Sequence, residues 1–233
     1  MVRVTPDEKG ALRILQMPQV EAALVALDPK DGAVRSLVGG FDFSRNQYNH
    51  VTQASRQPGS SFKPFIYSAA LEKGITATTV INDAPLFFSA AQTGGDEWEP
   101  KNYDGKFEGP MRVRTALAKS KNMVSIRILR SIGPGYAQDY VSRFGFDPKQ
   151  TPAYLTLALG AAQTNPMQMA GAYAVFANGG YRVKPYFIKK ITDTKGQTVF
   201  EETPVVAGKD AEQAIDPRNA FIMTTLLRDV VRA

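Results

Sequence analysis

Two short segments carry residue types that can do acyl-transfer chemistry. The first is Ser60-Ser61-Phe62-Lys63, a Ser-x-x-Lys placed directly after Pro58-Gly59. On a helix this spacing sets a hydroxyl and an amine one turn apart on the same face. A serine is a weak nucleophile until a neighbouring base takes its proton. A lysine is such a base only when burial or a nearby cation lowers its pKa enough to leave it neutral. A bare Ser-x-x-Lys arises by chance in most proteins and equally describes an ordinary pair on a helix surface, so the context gives it its weight. Ser60 falls where Pro-Gly predicts a helix N-terminus, whose unpaired N–H groups and dipole favour a developing oxyanion. The stretch Phe65-Ile66-Tyr67-Ser68-Ala69-Ala70 then reads as a buried helix able to desolvate Lys63.

The second segment is Ser120-Lys121-Asn122. Ser and Asn are both good capping residues, so one reading is a plain helix cap. In the other, Ser120 relays a proton to a leaving amine, and Asn122 contacts Lys63 and a substrate carbonyl. Lys121 between them either repels Lys63 and helps keep it neutral, or faces solvent.

Composition narrows the alternatives. The 233 residues contain no cysteine and one histidine, His50, which removes disulfides, cysteine metal sites and His-rich metal sites. A Ser-His-Asp triad would have to use His50, which reads instead as a loop hydrogen-bonder, so lysine is left as the base. No metal and no other cofactor is expected. The net charge of +6 suits anionic surfaces, but the basic residues are scattered and no nucleic-acid module is visible, so no nucleic-acid partner is expected. No apolar run approaches the ~18–20 residues of a membrane span, and no signal-peptide pattern follows Met1.

The elements that must position these residues can be read from pattern and punctuation. Gln19–Leu27 and Ala33–Val38 predict a hairpin across Asp28-Pro29-Lys30-Asp31-Gly32. Phe41–Ser55 reads as a polar loop and Ser60–Glu72 as a helix closed by Gly74. Asp83–Gly109 reads as a loop holding the only tryptophan, Trp98, and Tyr103. Helices are expected over Val113–Lys119, Met123–Ser131, Tyr136–Phe144, Pro166–Asn178 and Pro217–Val231, and strands over Tyr181–Ile191 and Thr198–Phe200 around a turn at Thr194–Gln197. The order predicts an α+β fold, an antiparallel sheet packed with helices, plus an all-helical subdomain. Residues 1–17 look like a linker or the remnant of a preceding small β domain, and Val2-Arg3-Val4 like the tail of a strand. Residues 18–233 form the main domain.

With both motifs in hand, the chain resembles the transpeptidase domain of class A, bifunctional penicillin-binding proteins. The resemblance covers nearly everything from Val20 onward. It is carried by Val25–Pro29 with Gly32–Arg35, Gly39–Phe43, Arg56–Phe65, Trp98–Gly105, Met111–Leu129 and Ala174–Tyr181. It implies the penicillin-binding/β-lactamase-like fold and a DD-transpeptidase that cross-links peptidoglycan through an acyl-serine. Ser60 would be the nucleophile and Lys63 its base, with Ser120 and Asn122 as partners. Gly59, Trp98 and Tyr103 would bind substrate, although from the residues alone the aromatic pair reads more readily as core or loop packing, and Arg56 and Gln57 as caps or braces of the loop. The implied partners are peptidoglycan stem peptides, β-lactam antibiotics and, through an anchor outside this chain, the membrane. The implied location is the periplasmic face of the bacterial inner membrane.

One departure from the family matters. Its third motif, Lys-Thr-Gly, occurs nowhere in these residues; Thr194-Lys195-Gly196 has the composition in another order and reads as a turn. The domain is therefore expected to be truncated before the Lys-Thr-Gly strand, with that strand supplied by a further C-terminal segment or a second chain. Without it the sheet is expected to have exposed edges, and the chain alone to be poorly active. Two rivals remain at this level. A serine β-lactamase would need a deacylating carboxylate in a Glu-x-x-Leu-Asn loop, and none is found. A non-catalytic β-lactam sensor would keep the fold and bind without cross-linking.

Overall fold

The computed structural model describes residues 3–16, 18–93 and 96–233. In chain order the elements are β1 (Arg3–Pro6), β2 (Leu12–Leu15), β3 (Leu24–Leu27), β4 (Val34–Val38), a 3-10 turn (Gly59–Phe62) running into α1 (Lys63–Glu72), β5 (Val80–Asp83), α2 (Ala90–Thr93), β6 (Gly109–Arg112), α3 (Val113–Ala118), α4 (Asn122–Ile132), α5 (Pro134–Ser142), a second 3-10 turn (Leu155–Leu159), α6 (Pro166–Ala177), β7 (Tyr181–Arg182), β8 (Lys190–Thr192), β9 (Thr198–Glu201), β10 (Glu212–Gln213) and α7 (Pro217–Arg232).

Helix α1 is the axis of the fold. Every residue from Lys63 to Ala70 is buried, so it is apolar on all sides rather than on one stripe, as a central helix must be. It packs on α4, α5 and α7. Phe65 sits at the centre of an aromatic hub, with ring centroids 5.0 Å from Phe144 and Phe146, 5.3 Å from Tyr173 and 5.4 Å from Phe62 and Phe176. A buried polar knot ties three helices together. Asn219 of α7 donates to the Ser68 carbonyl (2.9 Å), Glu72 (3.0 Å) and the Tyr140 hydroxyl (3.2 Å), while the Ser68 hydroxyl donates to Asn219 Oδ1 at 2.9 Å. Burial pushes the Tyr140 and Tyr67 phenols well above their ordinary range.

The strands form five antiparallel ribbons of two strands: β1–β2, β3–β4, β5–β6, β8–β9 and β7–β10. The α+β class holds. The sheet is reduced to these ribbons, of which β3–β4 packs on α6. The expected strand Gln19–Leu27 is only Leu24–Leu27, because Glu21 turns aside to bond His50 (2.8 Å) and Asn46 (3.1 Å). Tyr181–Ile191 is not one strand. Pro185 has no N–H to give a ladder, and Tyr186 crosses to bond Val34 and Gly32. Both ends of the expected loop Asp83–Gly109 are paired instead, as β5 with β6, with Asp83 opposite Gly109. Thr194–Gln197 is the β8–β9 turn, held by Asp193, whose carboxylate accepts from the Lys195 and Gln197 N–H groups. Met1 and Val2, where the expected strand tail begins, lie outside the described residues.

Candidate active site

The 3-10 turn at Gly59–Phe62 delivers Ser60 and then winds into α1, with Lys63 and Pro64 as its first residues. Pro64 suits that position because its missing N–H has no intrahelical partner there. The turn is backed by a close backbone approach. Gly160, in the left-handed region at φ 76°, lies so near that a Cβ on it would sit 2.1 Å from the Gly59 carbonyl oxygen, so only glycine fits.

Lys63 is 1% exposed, and its ammonium donates to the Ser120 carbonyl (2.7 Å), the Ser120 hydroxyl (2.9 Å) and Asn122 Oδ1 (2.7 Å). The two sequence motifs thus meet at one amine. Burial pulls its pKa from 10.5 down to about 8. With all three N–H groups engaged, this arrangement is that of the protonated amine. Ser60 is exposed, and among the described residues its hydroxyl makes no hydrogen bond.

The Ser120 end is built differently. Ser120 has φ 53°, and it is the only non-glycine with positive φ among the described residues. It ends α3, with the Ser120 N–H on the Leu117 carbonyl (3.0 Å) and the Lys121 N–H on the Ala116 carbonyl (2.9 Å). This is the left-handed stop at which both its carbonyl and hydroxyl can turn to Lys63. Asn122 opens α4 and donates through Nδ2 to the Lys101 carbonyl at 2.8 Å, leaving Oδ1 for Lys63.

Lys121 neither repels Lys63 nor faces solvent. It is 3% exposed and turned into a cluster of carboxylates, 3.0 Å from Asp104 and Glu108 and 3.7 Å from Asp83. Burial works to lower its pKa, but the bonds to Glu108 and Asp104 outweigh it and the net shift is upward. Its charge is thus neutralised locally.

The other expected site residues have the following surroundings. Trp98 stacks on Phe88 at 5.2 Å and lines a cleft of about 480 Å³ with Pro134 and Leu155. Pro134 follows the C-terminal end of α4, a helix length of about 16 Å from Asn122 at 1.5 Å per residue. Tyr103 is fully exposed on the loop beside Asn102. The Arg56 backbone exchanges both hydrogen bonds with Thr164, bracing the loop, and His50 pairs with Glu21.

Asn102 is a site residue that no sequence pattern singles out. Its Oδ1 accepts from the Asn122 N–H (2.8 Å) and the Met123 N–H (3.4 Å), capping α4 from a distant loop. The available signal is negative: the residue before α4 is Lys121, whose side chain has no oxygen to cap with, so a side-chain cap can come only from another segment.

A helix-borne serine and lysine facing a Ser-x-Asn turn, inside this α+β scaffold, define a serine acyltransferase class of fold. The chain belongs to the penicillin-binding protein transpeptidase family, whose described domain matches residues 22–233. It is 56% identical over 223 residues to penicillin-binding protein 1A of Neisseria lactamica, a stretch that is 96% of this chain and 28% of that protein. The crystal structure of penicillin-binding protein 1A from Haemophilus influenzae matches with a TM-score of 0.93 at 35% identity, over 99% of this chain and 38% of that one. PonA1 from Mycobacterium tuberculosis, in complex with penicillin V, matches at 0.74 with 29% identity, over 88% of this chain and 54% of that one.

Proposed function

We propose that this chain carries the acyl-transfer site of a DD-transpeptidase of peptidoglycan synthesis that β-lactams acylate. The observation that supports this best is the buried Lys63 amine held by Ser120 and Asn122 at the first residue of α1, directly after the 3-10 turn that carries Ser60. Once Lys63 has lost its proton, it takes the proton of Ser60 as Oγ attacks the carbonyl of a D-Ala–D-Ala bond. The Ser60 N–H, in the 3-10 turn that leads into α1, is a donor for the oxyanion. As the C–N bond breaks, the departing D-Ala amine receives its proton by way of the Ser120 hydroxyl. The amine of a second stem peptide then attacks the Ser60 ester and frees the hydroxyl, leaving a cross-link. A β-lactam follows the first half only, since its leaving nitrogen stays tethered.

In this reading Gly59 and Tyr103 are the residues that face substrate, while Trp98 packs on Phe88. The relatives are several times longer, and a Lys-Thr-Gly strand outside this chain supplies the remaining donors. Membrane attachment and the periplasmic location belong to that longer protein; among the described residues no helix is long and apolar enough to cross a membrane.

The test is incubation with a penicillin followed by intact mass and peptide mapping. One drug mass on Ser60, lost in Ser60→Ala, is the expected result. An adduct that survives Ser60→Ala, or rapid release of hydrolysed drug, would overturn the assignment.

A further inference from the structure

The Ser120–Asn122 turn brings three oxygens to one amine through a backbone that a serine rarely adopts. Such a conformation persists only where its surroundings over-determine it. Before the turn, the end of α3 does so through the Leu117 and Ala116 carbonyls. After the turn, the hold comes from side chains outside both motifs.

Asn102 is 4% exposed and uses every polar atom of its amide. Oδ1 takes the first two N–H groups of α4, while Nδ2 donates to Asp83 Oδ1 (2.8 Å) and the Lys106 carbonyl (2.7 Å). The donors and acceptors around it leave one orientation of the amide. Asp83 is itself fully buried at the end of β5 and accepts the Glu108 N–H at 3.0 Å. Lys121, the residue between Ser120 and Asn122, runs into the same cluster, and its carbonyl accepts the Ser125 hydroxyl at 2.9 Å. The turn is therefore gripped on its far side by one continuous polar cluster that joins β5, the 101–106 loop and Glu108, just before β6.

We propose that Asn102 and Lys121 are positioning residues of acylation, holding the Ser120–Asn122 turn in the left-handed conformation that delivers its oxygens to Lys63. The proposal rests on the acyl-transfer reading of Ser60 and Lys63 and extends it. Neither residue touches the reacting atoms. Each acts through the turn, and loss of either lets Ser120 relax toward an ordinary backbone and away from the amine.

The experiment uses the whole protein that carries this chain and a fluorescent penicillin. It reads two quantities separately, the first-order acylation constant at saturating drug and the fraction of protein finally labelled. Asn102→Ala and Lys121→Met are expected to lower the constant by about 10- to 100-fold, the scale of a small misplacement in a preorganised site, with the labelled fraction near that of the parent. Lys121→Arg, which keeps the charge, is expected to recover most of the rate. A purely structural role predicts the opposite pattern, a smaller labelled fraction at an unchanged constant, and that result would overturn the proposal. If Asn102→Ala leaves no folded protein, Lys121→Met, close to lysine in shape and leaving Asn102 in place, is read by the same criterion. Failure of the parent protein to label at Ser60 would sink the acyl-transfer reading itself, which is distinct from a parent that labels and variants that match it.

Discussion

The two motif segments are anchored by opposite means. Ser60–Lys63 is seated by apolar packing: Phe62 of the 3-10 turn and Phe65 of α1 lie in the aromatic hub, and α1 is buried from Lys63 to Ala70. Ser120–Asn122 is seated by directional polar bonds, from Asn102, Asp83, Asp104 and Glu108. Apolar burial is large but non-directional, so it can fix where a helix lies without aiming a particular lone pair. Setting three oxygens around one ammonium needs directional partners, and those are found on the side of the site where the aiming is done.

The largest expected break in this contrast is Phe65→Ala. Removing the centre of the hub should cost about 3–5 kcal/mol of stability, as for other buried aromatic truncations, measured by chemical denaturation. A loss under about 1 kcal/mol would show that the hub does not seat α1.

The next effect is on rate, where the two segments meet. Burial depresses Lys63 from 10.5 to about 8, and the base is the neutral form, so activity lies above that pKa and is lost as pH falls through it. Acylation of Ser60 should rise about tenfold from pH 6 to pH 7 and level off above about pH 9. A profile flat across that range would remove Lys63 as the titrating base.

The smallest effect concerns the strained turn. Ser120→Ala keeps the left-handed strain and loses the hydroxyl, whereas Ser120→Gly loses both, so the glycine variant should be the more stable of the two by about 1 kcal/mol. Equal denaturation midpoints would mean the turn is not strained. Both variants lose the 2.9 Å bond to Lys63, so their acylation rates should fall together.

Much of this was legible before any coordinates. Pro-Gly before a serine and a largely apolar run after Lys63 predict α1, and the prolines that open α6 and α7 help predict theirs, because helices are written in local spacing. The β5–β6 pairing is not legible in the sequence: Asp83 and Gly109, the two ends of the expected loop, find each other only across the intervening segment, and neither is a strand former by itself. The place of Lys121 is not legible in the sequence because its carboxylate partners come from two separate segments, Asp83 from one and Asp104 and Glu108 from another.

The sequence alone therefore determined the chemistry available: a serine and a lysine one helical turn apart, a Ser-x-Asn to meet them, and an α+β scaffold rich enough in apolar residues to bury the lysine. Only the tertiary structure decided how the two meet. It set the left-handed turn at Ser120, placed the cap of α4 on Asn102, and sank Lys121 among acids. The physical reason is that nucleophile and base spacing is a property of one helix, whereas the aim of the oxygens on Lys63 depends on hydrogen bonds between segments far apart in the chain.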